Sequence, residues 1–218
     1  SLIHPFNIFG KLSRMQIKLD GLSESKTYFT MTQTIMPRPI AWVLSENADA
    51  SFNLAPFSYF NAVCTDPPLV MISINLQDNG SEKDTLRNIR QRSQFVIHIA
   101  SDNQLDILNK SSATLPPGES EVLAGGLSTT PVDGYHMPRL TDCKIALICE
   151  RHETQPIGNK GQTLLFAEVK EIYLDDDCAE VNEKGRLKVF ADKVQPLSRL
   201  GGGEYASFGE KLTATRPT

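Results

Sequence analysis

Apolar and polar positions along this chain fall into short runs. Residues 39–45, PIAWVLS, read as a strand, and the polar ENADA after them reads as a turn. SFNLAPFS (51–58) resumes an extended path, so the two runs predict a hairpin. LVMISIN (69–75) is a continuous apolar run flanked by prolines, and its Val, Ile and Met content predicts a buried strand. In KDTLRNIRQRS (83–93) the period changes, and Leu86 and Ile89 lie three apart on one helical face. Ser81 and Asp84 stand where an N-cap and a first-turn acid belong. QFVIHIAS (94–101) predicts a strand with Phe95, Ile97 and Ile99 on one face. DNQLDILNKSS (102–112) predicts a short helix opened by Asp102.

Residues 113–140 break the pattern. Prolines and glycines predict a long loop with at most one helical turn, and loops of this length often carry function. CKIALICERH (143–152) and TLLFAEVKEIYL (163–174) then read as strands separated by a turn at GNKG (158–161). Short strands dominate, without a βαβ rhythm, internal repeat or linker. The pattern predicts one mainly antiparallel barrel with a few helices at its edges, spanning residues 28–218 after an extension over 1–27. Residues 1–14 are set aside, with Met15 standing where a natural start would.

Composition narrows the function classes. The chain has 218 residues, 40% hydrophobic and 22% charged, which suffices for an unstapled core. A net charge of -4 gives no basic surface for nucleic acid. The one basic run, RNIRQR (87–92), reads as the solvated face of a helix. Cys64, Cys143, Cys149 and Cys178 match no zinc or CxxC spacing and read as free thiols of a reducing cytoplasm. No apolar run is long enough for a membrane span, and the N-terminus lacks a signal-peptide layout. No dinucleotide fingerprint, P-loop, histidine pair or nucleophile elbow is present, which leaves metal and triad chemistry without a motif.

Three stretches remain as candidate chemistry. SEKDTLRNI (81–89) puts Ser81, Lys83 and Thr85 at a helix start, where open amides and the helix dipole favour an anion. The same stretch also reads as a well-capped surface helix. In MPRPIAW (36–42), Arg38 sits between two prolines on a stiff backbone suited to an anion, or to a plain strand entry. Trp42, the only tryptophan, fits the core or a ligand stack. In NLAPFSYFNAVCTDPP (53–68), Pro56, Pro67 and Pro68 limit the backbone, and Ala55 and Ala62 leave room for a flat ligand. Asn53, Ser58 and Asn61 offer polar groups to its edge. A ring with a polar rim, such as a flavin, matches this mixture, and so does a kinked barrel strand.

In this order, RPIAWVLS, NLAPFSYFNAV with DPP, and KDTLRNI resemble the flavin reductase-like family of FMN-binding split barrels, the group that includes flavoredoxin-type proteins. TLLFAEVKEIYL and PLSRLGGGEYASFGE extend the resemblance over residues 28–217. The resemblance implies an antiparallel split β-barrel of Greek-key type, typically a homodimer with flavin near the subunit interface. It implies that Asn53, Ala55, Pro56, Phe57, Ser58, Asn61 and Ala62 line the isoalloxazine ring, with Trp42 beside them. Lys83, Asp84 and Thr85 would meet the phosphate or ribityl chain, with Arg38 assisting and Arg199 near the cofactor. His152 and the 113–140 loop would contribute from either subunit. The implied activity is an NAD(P)H-dependent flavin reductase: the cofactor, FMN with FAD as the alternative flavin, carries the chemistry, hydride passing to its N5, and no side chain acts as catalyst. A monooxygenase or other acceptor would take the electrons. Many reductases of the family place a histidine before the late strand, where this chain has Gln162. That departure keeps two alternatives: an FMN-loaded electron carrier without nicotinamide turnover, and a non-catalytic flavin-binding protein.

Overall fold

The computed structural model describes residues 3–6, 14–113, 115–116, 119–215 and 217. A hairpin, β1 (Ile3–Phe6) and β2 (Arg14–Ile17), precedes helix α1 (Glu24–Thr34). Ser23 caps α1 by accepting from the Lys26 amide. Then come β3 (Arg38–Pro39), β4 (Ala41–Glu46), β5 (Phe52–Phe57), β6 (Phe60–Thr65) and β7 (Pro68–Ile74). Helix α2 (Asp84–Arg92) leads into β8 (Gln94–Ile99). After a 3-10 turn at Asp102–Gln104 come α3 (Leu105–Lys110), α4 (Glu121–Ala124), β9 (Thr129–Thr130) and β10 (Arg139–Leu140). The long strands β11 (Ile145–Ile157) and β12 (Gln162–Leu174) precede β13 (Ala179–Val181), β14 (Leu187–Val189) and α5 (Ala191–Val194). The pair β15 (Ser198–Arg199) and β16 (Tyr205–Ala206) is the last of the elements.

Seven strands form one antiparallel sheet in the order β5-β4-β8-β11-β12-β7-β6. Its two edge strands, β5 and β6, are joined by only Ser58 and Tyr59. Two residues cannot span a flat seven-stranded sheet, whose strands lie about 4.8 Å apart. The sheet therefore curls until its edges approach, and covalent chain rather than a ladder bridges the gap. This is the split barrel. Separately, β3, β15 and β16 form a small sheet, with Arg199 opposite Arg38.

Alternation along the strands divides the core in two. Val43, Ile97, Leu165 and Ala167 pack with Phe57 of β5 and Val70, Ile72 and Ile74 of β7. Drawing on both ends of the sheet, this cluster fills the concave face, which α2 closes with Leu86 and Ile89. Trp42, Leu44, Leu54, Val96 and Ile148 point the other way and are covered by Leu108, Val122, Met137 and Leu140. The 113–140 stretch, expected as a loop, thus supplies α4, the β9–β10 pair and part of a core. Strand β8 is buried on both faces, so Val96 and His98 are as enclosed as Phe95 and Ile97.

His98 pairs inside this second cluster. The Leu140 amide donates to Nε2 at 2.9 Å, so Nδ1 carries the proton and donates to the Trp42 carbonyl at 3.1 Å. One expectation is corrected at α2. Lys83, not Ser81, is the N-cap residue, and it makes no side-chain cap bond. Ser81 instead turns back to Asn79 Oδ1 in the preceding loop, where its amide and hydroxyl both bond that oxygen.

Candidate functional site

A cleft of about 1040 Å³ opens between the barrel and α1. One wall belongs to the barrel: Pro56, Phe57, Ser58 and Tyr59 at the β5–β6 link, Ser73 and Asn75 at the end of β7, with Gln162 and Lys83. The rest of the lining comes from α1, the end of α3 and the β15–β16 pair, including Tyr28, Met31, Asn109, Arg199 and Tyr205.

The barrel wall follows from strand register. β5 is an edge strand, so alternate backbone groups face away from β4. On this outer side the Leu54 amide donates to Glu121 Oε2 at 2.9 Å. Two residues on, Pro56 has no amide to leave unpaired. Burial raises the Glu121 carboxyl above its usual range, opposed in part by that Leu54 bond. Ser120 adds a bond from its hydroxyl to the Phe52 carbonyl at 2.6 Å. Helix α4 thus bolts the wall in place from outside the cleft. Within the cleft, Gln162 Nε2 donates to Ser73 Oγ at 2.7 Å. Burial, with Tyr28 adding to it, pushes the Tyr59 phenol up, so Tyr59 stays a protonated donor.

Lys83 marks the start of α2. An uncapped helix start leaves first-turn amides open, here those of Asp84, Thr85 and Leu86. Asp84 is ion-paired with Arg87, so its charge is partly offset.

Of the residues expected at the site, Pro56, Phe57, Ser58, Lys83 and Arg199 line the cleft together. The others take different places. Arg38 is buried and donates to the carbonyls of Thr32 (2.7 Å), Ile35 (2.5 Å) and Leu200 (2.9 Å). It thereby ties α1 to β15. Trp42 lies in the core and donates to Ser111 Oγ at 2.9 Å. Asn53 and Thr85, 4% and 2% exposed, bond each other at 2.9 Å behind the wall. Ala55 packs against the concave-face core. Asn61 and Ala62 lie on the exposed β6, where Asn61 Oδ1 accepts from the Ala62 amide. His152 is exposed on β11.

Sequence reasoning missed Tyr59, Ser73, Asn75 and the whole α1 wall. A signal existed for two of them: Ser73 and Asn75 are the polar members of an apolar run, two apart, and so share a face. Cys143, Cys149 and Cys178 are buried, and burial pushes the Cys143 thiol up to about 12. Such thiols are poor nucleophiles. Among the described residues no three His, Cys, Asp or Glu side chains gather as a metal site, and no helix is long and apolar enough to cross a membrane.

The fold meets its counterpart in known proteins. The chain belongs to the family of the flavin reductase like domain, whose model matches residues 31–193. It is 34% identical, over 94% of its length, to an uncharacterised protein of Halalkalibacterium halodurans, covering 97% of that protein. Among solved structures, nitrilotriacetate monooxygenase component B from Bacillus cereus superposes with a TM-score of 0.84 at 31% identity, over 94% of this chain and 100% of that one. The 2-nitrobenzoate 2-nitroreductase NbaA of Pseudomonas fluorescens gives 0.82 at 32% identity, over 93% and 96%.

Proposed function

We propose that this protein is an FMN-binding oxidoreductase, an NAD(P)H-dependent flavin reductase. One observation carries the reading: an uncharged wall at Pro56, Phe57 and Ser58 and Lys83, the residue that opens the uncapped α2, line the same cleft. A flat ring and an anionic tail are the two parts of a flavin mononucleotide. When bound, the flavin supplies two-electron redox chemistry at its ring.

The lining fits that group on both counts. The wall offers apolar area at Pro56 and Phe57, while Ser58, Ser73 and Tyr59 supply hydroxyls to a polar rim. The open amides of α2 and the Lys83 ammonium form an anion-binding donor set. Asn53 and Thr85 support this set from behind, fixing the start of α2 against β5. Closure by α1 keeps water from one side of the cleft. Gln162 bonds Ser73 and carries no titratable proton, so this corner orients rather than delivers protons.

The homodimer belongs to the same reading. β6 is an unpaired sheet edge with its residues exposed, including Val63 at 49%, and such an edge invites covering. The protein that takes up the electrons, a monooxygenase in the case of a component B, is part of the proposal.

The test is anaerobic mixing of the FMN-loaded protein with NADH or NADPH while following the flavin's visible absorbance. Bleaching by one of them supports the reductase. Bleaching by a chemical reductant alone would make the protein an electron carrier. Failure to bind FMN refutes both.

A further inference from the structure

The cleft is lined by two basic residues, and the proposed cofactor site uses one of them. Among the lining residues these are Lys83 at the start of α2 and Arg199 on β15. The lining's one acid, Glu24, is paired with Lys160 at 3.6 Å. Arg199 itself has no ion pair among the described residues. Arg38, its neighbour across the β15–β3 pair, gives its donors to three carbonyls and, through Nε at 3.4 Å, to Ser58 Oγ, and is not itself a lining residue.

Arg199 is held as a binding group is held. Its guanidinium donates to the carbonyls of Glu204 and Gly202 and stacks on the Tyr205 ring at 4.4 Å. Tyr205 is itself fixed, its hydroxyl donating to Asn109 Oδ1 at 3.1 Å. A guanidinium carries five N–H donors, so three remain after these two bonds. A planar fork with little freedom left is suited to a two-point contact with a carboxylate. Met31 gives the same part of the lining an apolar surface, backed by the buried Ile40 and Leu108, and Asn109 and Ser112 add polar groups. This cleft of about 1040 Å³ lies at the top of the roughly 300–1000 Å³ range of small-molecule sites.

We propose that Arg199 and Tyr205 form a second ligand subsite in this cleft, which takes a planar ring bearing a carboxylate. The proposal rests on FMN occupying the barrel wall and assigns Arg199 to the second ligand instead of the cofactor. The carboxylate meets the Arg199 fork, and the ring lies along Met31, facing the flavin.

The experiment titrates FMN-loaded protein with benzoate, a carboxylate on a ring that flavin does not reduce. The readouts are flavin visible absorbance and calorimetry. Saturable binding is expected, with benzamide, the uncharged counterpart, about tenfold weaker or more. Arg199→Met should weaken benzoate by about 10- to 100-fold and leave FMN affinity unchanged. Arg199→Lys, which keeps the charge and loses the fork, should fall between. It also guards against a misfolded Arg199→Met, which circular dichroism would reveal. Three outcomes overturn the proposal: no benzoate binding to FMN-loaded protein, displacement of FMN by benzoate, or a parallel loss of FMN affinity in both Arg199 variants. Nicotinamide mononucleotide, whose anionic group is a phosphate on the ribose, is the third arm. Tighter binding of it than of benzoate, with the same Arg199 dependence, would assign the anion to a nucleotide phosphate and overturn the ring carboxylate. If FMN itself fails to bind, the cofactor reading falls first and this one with it, whereas FMN binding without benzoate binding removes this one alone.

Discussion

Asn53 and Thr85 show how burial changes a residue's part. Each has the side chain of a ligand contact, yet Asn53 Nδ2 bonds Thr85 Oγ1, and Asn88 Nδ2 reaches Ser45 Oγ at 3.2 Å and Asn47 Oδ1 at 2.8 Å. This buried network sets α2 against β4 and β5. In the proposed site it fixes the distance from the phosphate donors to the ring wall. Asn53→Ala and Thr85→Val should each weaken FMN while leaving riboflavin, which lacks the phosphate, unaffected. Combined, they should cost less than the sum of the two. A double-mutant cycle on both ligands checks this, and equal losses for the two flavins would make the pair simply structural. The residue types were legible in the sequence, but their partners were not. Asn53 and Thr85 are 32 positions apart, and only the fold decides that they satisfy each other.

At the scale of elements, the barrel strands and α2 were readable because their apolar periods are regular. Helix α1 was not. Of its residues only Thr32 is buried, since the helix borders a cleft instead of capping a core, so no apolar stripe marks it. Tertiary clamping holds it, chiefly through Arg38. Arg38→Met should leave the Thr32, Ile35 and Leu200 carbonyls without their donor, at about 1–3 kcal/mol for each that stays unsatisfied. The expected result is faster amide exchange in α1 with the barrel still protected, read by hydrogen–deuterium exchange. Unchanged exchange in α1 would mean that other contacts hold the helix. Helix α4 makes a second clamp, with a pH signature. Burial raises the Glu121 carboxyl, so ionising it costs more in the fold than in the unfolded chain. Its contribution to stability is greatest below its ordinary value of 4.5 and declines as pH rises through the raised one. Glu121→Gln removes the titration. Wild-type stability relative to this variant should therefore fall as pH rises over that window in urea titrations.

Across the whole molecule, the two cores meet at β4 and β8, where His98 is enclosed. Burial holds its pKa down to about 4 from 6.5. The unfolded chain then takes up a proton below pH 6.5 that the fold refuses until about pH 4. Stability from this residue is complete above 6.5 and drains as pH falls toward 4, by roughly 3 kcal/mol in all. His98→Gln, an amide able to donate and accept, should flatten that slope in urea titrations between those pH values. A slope unchanged by the substitution would place the acid sensitivity elsewhere.

The barrel, the α1 wall and α2 serve one claim, that the cleft holds FMN with its phosphate at the start of α2. Titration of the purified protein with FMN, followed by quenching of flavin fluorescence, tests it most directly when run beside Lys83→Met. The account predicts saturable binding of one FMN per chain, weakened in the variant by about 1.5–3 kcal/mol, with riboflavin equal in both. FMN bound equally well by the two proteins, or by neither, would contradict it.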